Sequence, residues 1–432
     1  MHGRLNSFQK TMLQWNDWHP YSAVHVVRVP GVLDEDRLRK GIVAVLEARG
    51  LTQLSLDRSN GTYHYEGGSA TCEIRVIAGG EDPHSALFSE MERQLNTPFA
   101  HTGRFSPFRF FVVPAGDAHF LGVVYFHVVA DAESVVLLLK ELVEAARDGK
   151  APTVSSSLDL YPDGRAHLLR RHMKVVGRRL LALPDQLRNM RRSCRPPCRD
   201  AANMANRFTC FSLDAETLRA VVAAAKSWGV TVNDVWLGLL LKSLAPLRGG
   251  RAQTRKRSHL SVGCIVNLRS ALGIDSRRTF GLFLGSFIVT HEAPDGMGLR
   301  EFARDVQQQT AAIKRRQLFL GTPLELGFGR FMLRFFSPER QIKFYPKHYP
   351  LWGGITNLNL NSLWSAEPNA VPLDYFRGVS TGPATPLVVS VTTIRDRANF
   401  GLSYRSAVYP PEAVEGIKAR FLDELAQLKG HA

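Results

Sequence analysis

Residues 119–141 read HFLGVVYFHVVADAESVVLLLKE. The first half is a continuous apolar run of the kind that forms a buried strand, and the second half has helical spacing. His127 stands where the strand pattern ends, and Asp131 where the helical pattern begins. An imidazole has an ordinary pKa near 6.5, so it accepts a proton readily at neutral pH, and a rigid strand can aim it. Asp131 suits the N-cap of the helix starting near Ala132. Two readings of the pair stand side by side: a catalytic base with a neighbouring orienting acid, or a core histidine beside an ordinary capping aspartate.

Outward from this stretch, residues 1–150 alternate strand and helix. SAVHVVRVPG (22–31) is strand-like, and LDEDRLRKGIVAVLEARG (33–50) is helical with an acidic start and a glycine stop. CEIRVIAGG (72–80) reads as a strand, 83–95 as a helix, and 108–129 as two strands joined at Pro114–Asp117. The helix over about 132–147 closes this first domain. Residues 151–205 form a basic linker, and a second domain, 206–432, repeats the grammar of strand then helix. Thr231 with Asp234 three residues on is a capping-box start for an apolar helix. Residues 259–270, 281–292 and 387–409 are strand-like, 298–317 helical, and 410–428 a terminal helix.

Composition sets the class. The chain has 432 residues, 44% hydrophobic and 22% charged, which fits roughly two globular domains. The N-terminus lacks an apolar signal core, and the longest apolar run is broken by His127, Asp131 and Glu133, so the expected location is the cytoplasm. Five cysteines show neither a disulfide framework nor metal-ligand spacing; no metal site is expected. Of the net charge of +16, residues 165–199 alone contribute +10, with eleven Lys or Arg against Asp185. A charge so localised, without an aromatic platform or a recognition motif, argues against nucleic acid. Residues 165–192 interleave leucines with arginines at helical spacing. Three readings are open: a packed helix with a solvated basic face, a helix lying on anionic lipid at the inner face of a membrane, or a dock for an acidic carrier protein or CoA phosphates.

FHVVADA (126–132) resembles the HHxxxDG motif of the condensation-domain and chloramphenicol-acetyltransferase-like acyltransferases, nearest the alcohol O-acetyltransferase and wax-ester-synthase branches. His127 takes the place of the second His and Asp131 that of the Asp, while Phe126 replaces the first His and Ala132 the Gly. In the same order, VPGVLDEDRLRKGIVAVLEARG, GVTVNDVWLGLLLKSL, VNLRS, FGLFLGSF and ITNLN are similar to further segments of that superfamily. The resemblance implies an α/β (α+β) fold of two chloramphenicol-acetyltransferase-like lobes, mixed sheets flanked by helices, and an active-site tunnel at the lobe interface. It implies His127 as general base, Asp131 and Arg269 as a structural pair supporting its loop, and Gly281, Gly285 and Asn357 as substrate-binding positions. Gly281 and Gly285 equally suit strand bulges, Asn357 a turn, and Arg269 a solvated strand end. No permanently bound cofactor is implied; acyl-CoA is the expected co-substrate, transferring its acyl group to a hydroxyl or amine of a fairly apolar acceptor. A carrier-protein-bound donor is the alternative within the enzyme class, and a catalytically silent binding or scaffold relative the alternative outside it.

Overall fold

The computed structural model describes residues 1–149, 158–160, 173–249, 257–364 and 372–429. The chain separates into two compact units. The first comprises Met1–His167, Asn267–Leu284 and Asn359–Ser380; the second comprises Leu168–Val266, Gly285–Leu358 and Thr381–Ala432. Neither unit is one continuous stretch. The sequence-based division at 206 therefore differs from the structure, because two segments of the second half carry partners for the first unit's backbone.

In the first unit the central sheet has five strands. Four of them are β1 (Ser22–Pro30), β2 (Phe108–Ala115), β3 (Ala118–Phe126) and β4 (Asp374–Val379); the fifth is the short edge Ile74–Val76. Their order is β4, β1, β3, β2 and then the edge strand. The four named strands run antiparallel to their neighbours, and the edge strand runs parallel to β2. The β2–β3 hairpin turns on Gly116 and Asp117, and Gly116 takes the left-handed φ of +67° that such a turn favours. At the middle of β3, Gly122 faces Phe111 in register. A Cβ at 122 would fall inside the Phe111 ring, so this strand-interior glycine exists to admit an aromatic side chain.

Helix α1 (Ala132–Asp148) follows β3 directly. Asp131 caps its start, and Gly149 ends it in the left-handed conformation. Six of its Val and Leu side chains are buried: Val135, Val136, Leu138, Leu139, Leu142 and Val143. The expected strand over 281–292 is interrupted. Thr279–Phe280 pairs with Asp159–Leu160, and a separate strand starts only at Leu284. The break falls where Gly281 and Phe283 give their backbone groups to Asp131 and Ser134 instead of to a ladder.

A six-stranded sheet organises the second unit, in the order Asn206–Leu213, Arg397–Arg405, Leu387–Ile394, Gly353–Asn359, Leu260–Asn267 and Leu284–His291. Its core packs Trp236, Phe211, Phe400 and Phe421 together, with Phe211 stacked on Phe400 at 4.8 Å. The helix Val232–Leu244 carries the capping box expected from Thr231 and Asp234, and it is buried along most of its length. Of the basic segment, α2 (Met173–Arg192) is helical, contains Pro184, and exposes Arg178, Leu181, Leu187 and Arg188. Residues 165–172, including Arg170 and Arg171, lie outside the described residues. Among the described residues no single helix is long and apolar enough to cross a membrane.

Because the ring of Phe111 occupies the space above Gly122, Gly122→Ala is expected to lower stability by about 1–3 kcal/mol, the usual cost of overpacking. Chemical denaturation checks this, and pairing the change with Phe111→Leu should recover part of the loss.

Candidate functional site

The side chains of β3 alternate between two faces, and the alternation decides what each residue near its end can do. Phe126 turns to an aromatic cluster with its ring 5.8 Å from Phe99, 5.6 Å from Phe105 and 6.0 Å from His101. His127 turns the other way, to the face that carries Tyr125. Its ring stacks on Tyr21, nearly parallel at 5.7 Å, and meets Tyr125 edge-on at 5.4 Å. The side chain is buried, 7% exposed.

The imidazole Nδ1 lies 2.9 Å from the carbonyl oxygen of Ala130. A carbonyl only accepts, so Nδ1 carries the proton and Nε2 presents its lone pair. Burial lowers the pKa of His127 below the ordinary histidine value; the Ala130 carbonyl and then Asp131 oppose this, and Arg377 adds to it. The neutral, proton-accepting form is therefore favoured, as a base needs.

Asp131 does not contact the imidazole among the described hydrogen bonds. Its carboxylate is 1% exposed and takes three donors. Oδ1 accepts from the Ser134 amide at 3.0 Å; Oδ2 accepts from Arg269 Nη1 at 2.6 Å and from the Phe283 amide at 2.9 Å. The Asp131 amide donates to the Gly281 carbonyl at 3.0 Å. Arg269, also buried, gives its other terminal nitrogen to Ser134 Oγ at 2.6 Å and lies over the Phe283 ring at 4.1 Å. Ser134 Oγ in turn donates to the Gly281 carbonyl and accepts from its amide. One position before Ser134 on the same helix, Glu133 accepts from Asn267 and Ser276.

The structure thus brings His127, Asp131, Arg269 and Gly281 into one connected arrangement in the first unit. Both backbone groups of Gly281 bond to Ser134 Oγ, and its carbonyl also accepts the Asp131 amide, so it ties the loop down. Gly285, buried on the strand Leu284–His291, and Asn357, exposed on Gly353–Asn359, belong to the second unit. Sequence reasoning missed Ser134, the Ala130 carbonyl, and a buried polar group alongside. In that group His25 Nδ1 is 2.7 Å from the Tyr375 hydroxyl, and the Tyr125 hydroxyl is 3.5 Å from His25 Nε2. Strand register sets Arg377 opposite His25. Burial, then Arg377, then His127 hold the His25 pKa well below its usual value, and burial brings Arg377 down to about 10. A histidine in SAVHVVRVP and an arginine in DYFRGV, each inside a strand pattern, were the available signals.

No protein-family model matches the chain, and no curated protein matches it in sequence. Its structure is similar to that of the first condensation domain of the calcium-dependent antibiotic synthetase in complex with a substrate analogue: TM-score 0.71, 18% identity, over 99% of this chain and 97% of that one. The condensation domain of the Monacolin K polyketide synthase MokA gives a TM-score of 0.69 at 13% identity over 99% and 97%. The EpoB cyclization-docking bidomain from Sorangium cellulosum gives 0.71 at 14% over 99% and 85%. The chain has the condensation-domain fold, two-lobed and mixed α/β, as the sequence led us to expect.

Removing either member of the Asp131–Arg269 pair strands a charge in a buried site, so Asp131→Ala and Arg269→Ala are each expected to cost about 3–5 kcal/mol. The double variant should cost clearly less than the two single losses added together. A double-mutant cycle by denaturation measures this coupling.

Proposed function

We propose that this chain is an acyltransferase in which His127 is the general base. The observation that carries the reading is the Nδ1–Ala130 hydrogen bond, which leaves Nε2 unprotonated on a buried imidazole at a strand end. In the proposed reaction Nε2 removes the proton of an acceptor hydroxyl or amine as the acceptor oxygen or nitrogen attacks a thioester carbonyl. The tetrahedral intermediate collapses by breaking the carbon–sulfur bond, and the imidazolium returns its proton to the departing thiolate. Products are an ester or amide and a free thiol, and no acyl-enzyme forms. Asp131 and Arg269 serve as positioning residues, acting through the loop rather than on the substrate. Gly285 and Asn357 are retained as candidate contacts for substrate, and Gly281 in the reading is a tie for the loop.

Acyl-CoA, with no bound cofactor, is the donor in the first reading. The likeness to synthetase condensation domains supports a second, in which a carrier protein presents the acyl thioester. Thiol release measured with acyl-CoA and with carrier-bound thioesters, each against alcohols and amines, separates the two. A folded protein inert with every thioester would leave the silent binding relative, a reading that Phe126 and Ala132 keep open.

His127→Ala is expected to lower kcat/KM by about 10²–10⁴-fold, the usual worth of a positioned base, with thermal stability little changed. Wild-type turnover in that variant would remove His127 from the chemistry. Burial favours the neutral imidazole, so activity should persist as pH falls through about 6.5 and be lost only below it. A pH profile of kcat/KM with its acid limb above that value would contradict the assigned environment.

A further inference from the structure

The exposed apolar surface of the second unit is concentrated in one place. Of the ten large hydrophobic residues that stand exposed among the described residues, five fall between 324 and 335: Leu324, Phe328, Phe331, Met332 and Phe335. They belong to α3 (Thr322–Leu333) and the turn after it, which leads into α4 (Pro338–His348). Phe328 is 66% exposed and Phe335 71%, and the rings of Phe331 and Phe335 meet edge-on at 5.5 Å. Spacings of three, four and seven residues gather Leu324, Phe328, Phe331 and Phe335 toward one side of the helix.

The hairpin is nonetheless well anchored. Thr322 Oγ1 accepts from the Ser286 amide at 2.8 Å and donates to the Ser286 carbonyl at 3.0 Å. Leu333 and Tyr345 are buried, and Phe344 packs on Phe336 at 6.0 Å. The aromatic residues of α4 therefore turn inward while the phenylalanines of α3 remain uncovered. Contiguous apolar exposure of this kind marks a surface that meets something.

Charge selects the occupant. Arg330 and Arg334 sit among the apolar positions, and Arg340, Lys343 and Lys347, all exposed, follow at helical spacing on α4. Only Glu325 and Glu339 offset these five cations within the hairpin. A second copy of the chain would bring like charges together around its apolar centre. An anionic lipid surface instead takes up aromatic side chains at the headgroup boundary while its phosphates neutralise the rim.

We propose that the hairpin Thr322–His348 docks on an anionic phospholipid bilayer, inserting Phe328, Phe331 and Phe335 among the headgroups and setting its arginines and lysines against the phosphates. The surface differs from the basic segment 165–192, and the assignment does not depend on the acyltransferase reading.

Co-sedimentation of the full chain with phosphatidylcholine vesicles, with and without phosphatidylglycerol, tests it. Wild type should sediment with the anionic vesicles at low salt, much less with neutral ones, and progressively less as salt is added. The exposed triple change Phe328→Ser, Phe331→Ser, Phe335→Ser should reduce partition at least about tenfold, with an unchanged melting temperature. Arg334→Gln, Arg340→Gln, Lys343→Gln and Lys347→Gln together should weaken binding and flatten its salt dependence, whereas Arg178→Gln with Arg188→Gln on α2 should change neither. The proposal fails if wild type ignores anionic vesicles, if the triple variant binds as wild type does, or if the α2 variant abolishes binding. It fails equally if sedimentation velocity shows a dimer that the triple variant splits, because the patch is then an interface between copies.

Discussion

The Asp131 carboxylate is the junction on which the loop that carries His127 depends. It caps a helix, neutralises a buried guanidinium, and accepts the amide of a residue 152 positions along the chain. Each bond draws on a different element: α1, the one-turn helix that opens at Arg269, and the interrupted segment before Leu284. A carboxylate so surrounded makes charge-assisted bonds that are shorter and stronger than neutral ones. Its desolvation is offset only while all three donors are in place.

The link from this junction to His127 is a single peptide unit. The Ala130 carbonyl accepts from Nδ1, and the nitrogen of the same peptide, that of Asp131, donates to Gly281. Whatever holds Asp131 therefore also holds the group that sets the imidazole tautomer. Such an indirect arrangement keeps the carboxylate away from Nε2, whose basicity then reflects burial more than an adjacent charge. On the opposite face of β3, Phe126 sits among the rings of Phe99, His101 and Phe105.

Much of this was legible in the sequence because it is local. Strand period, helix caps and the glycine stops at Gly50 and Gly149 depend on neighbours within a few residues, and the run from His119 to Glu141 contains both the strand and its capped helix. The order of segments supplied Arg269 as well. The interruption at 281–283 was not legible, since an apolar run with two glycines has the same pattern whether its amides face a ladder or a distant carboxylate. Neither were the discontinuous unit boundaries. β4 went unread among the strand-like segments of the second half, and nothing local says that its partner is β1. The hairpin 322–348 went unread because its apolar residues face both inward and outward, which blurs the helical period.

Interleaving of the two units also constrains how the chain is made. When Asp131 has emerged from a ribosome, Arg269 and Phe283 are still to be translated, and at about 5–20 residues per second the wait is roughly 8–30 s. Throughout it the nascent first unit has a buried-type carboxylate without its donors and an open edge on β1, since β4 is synthesised later still. Open edges of that kind pair readily with other chains. Newly made protein thus passes through an interval in which the loop after His127 lacks its ties and the sheet edge stands open.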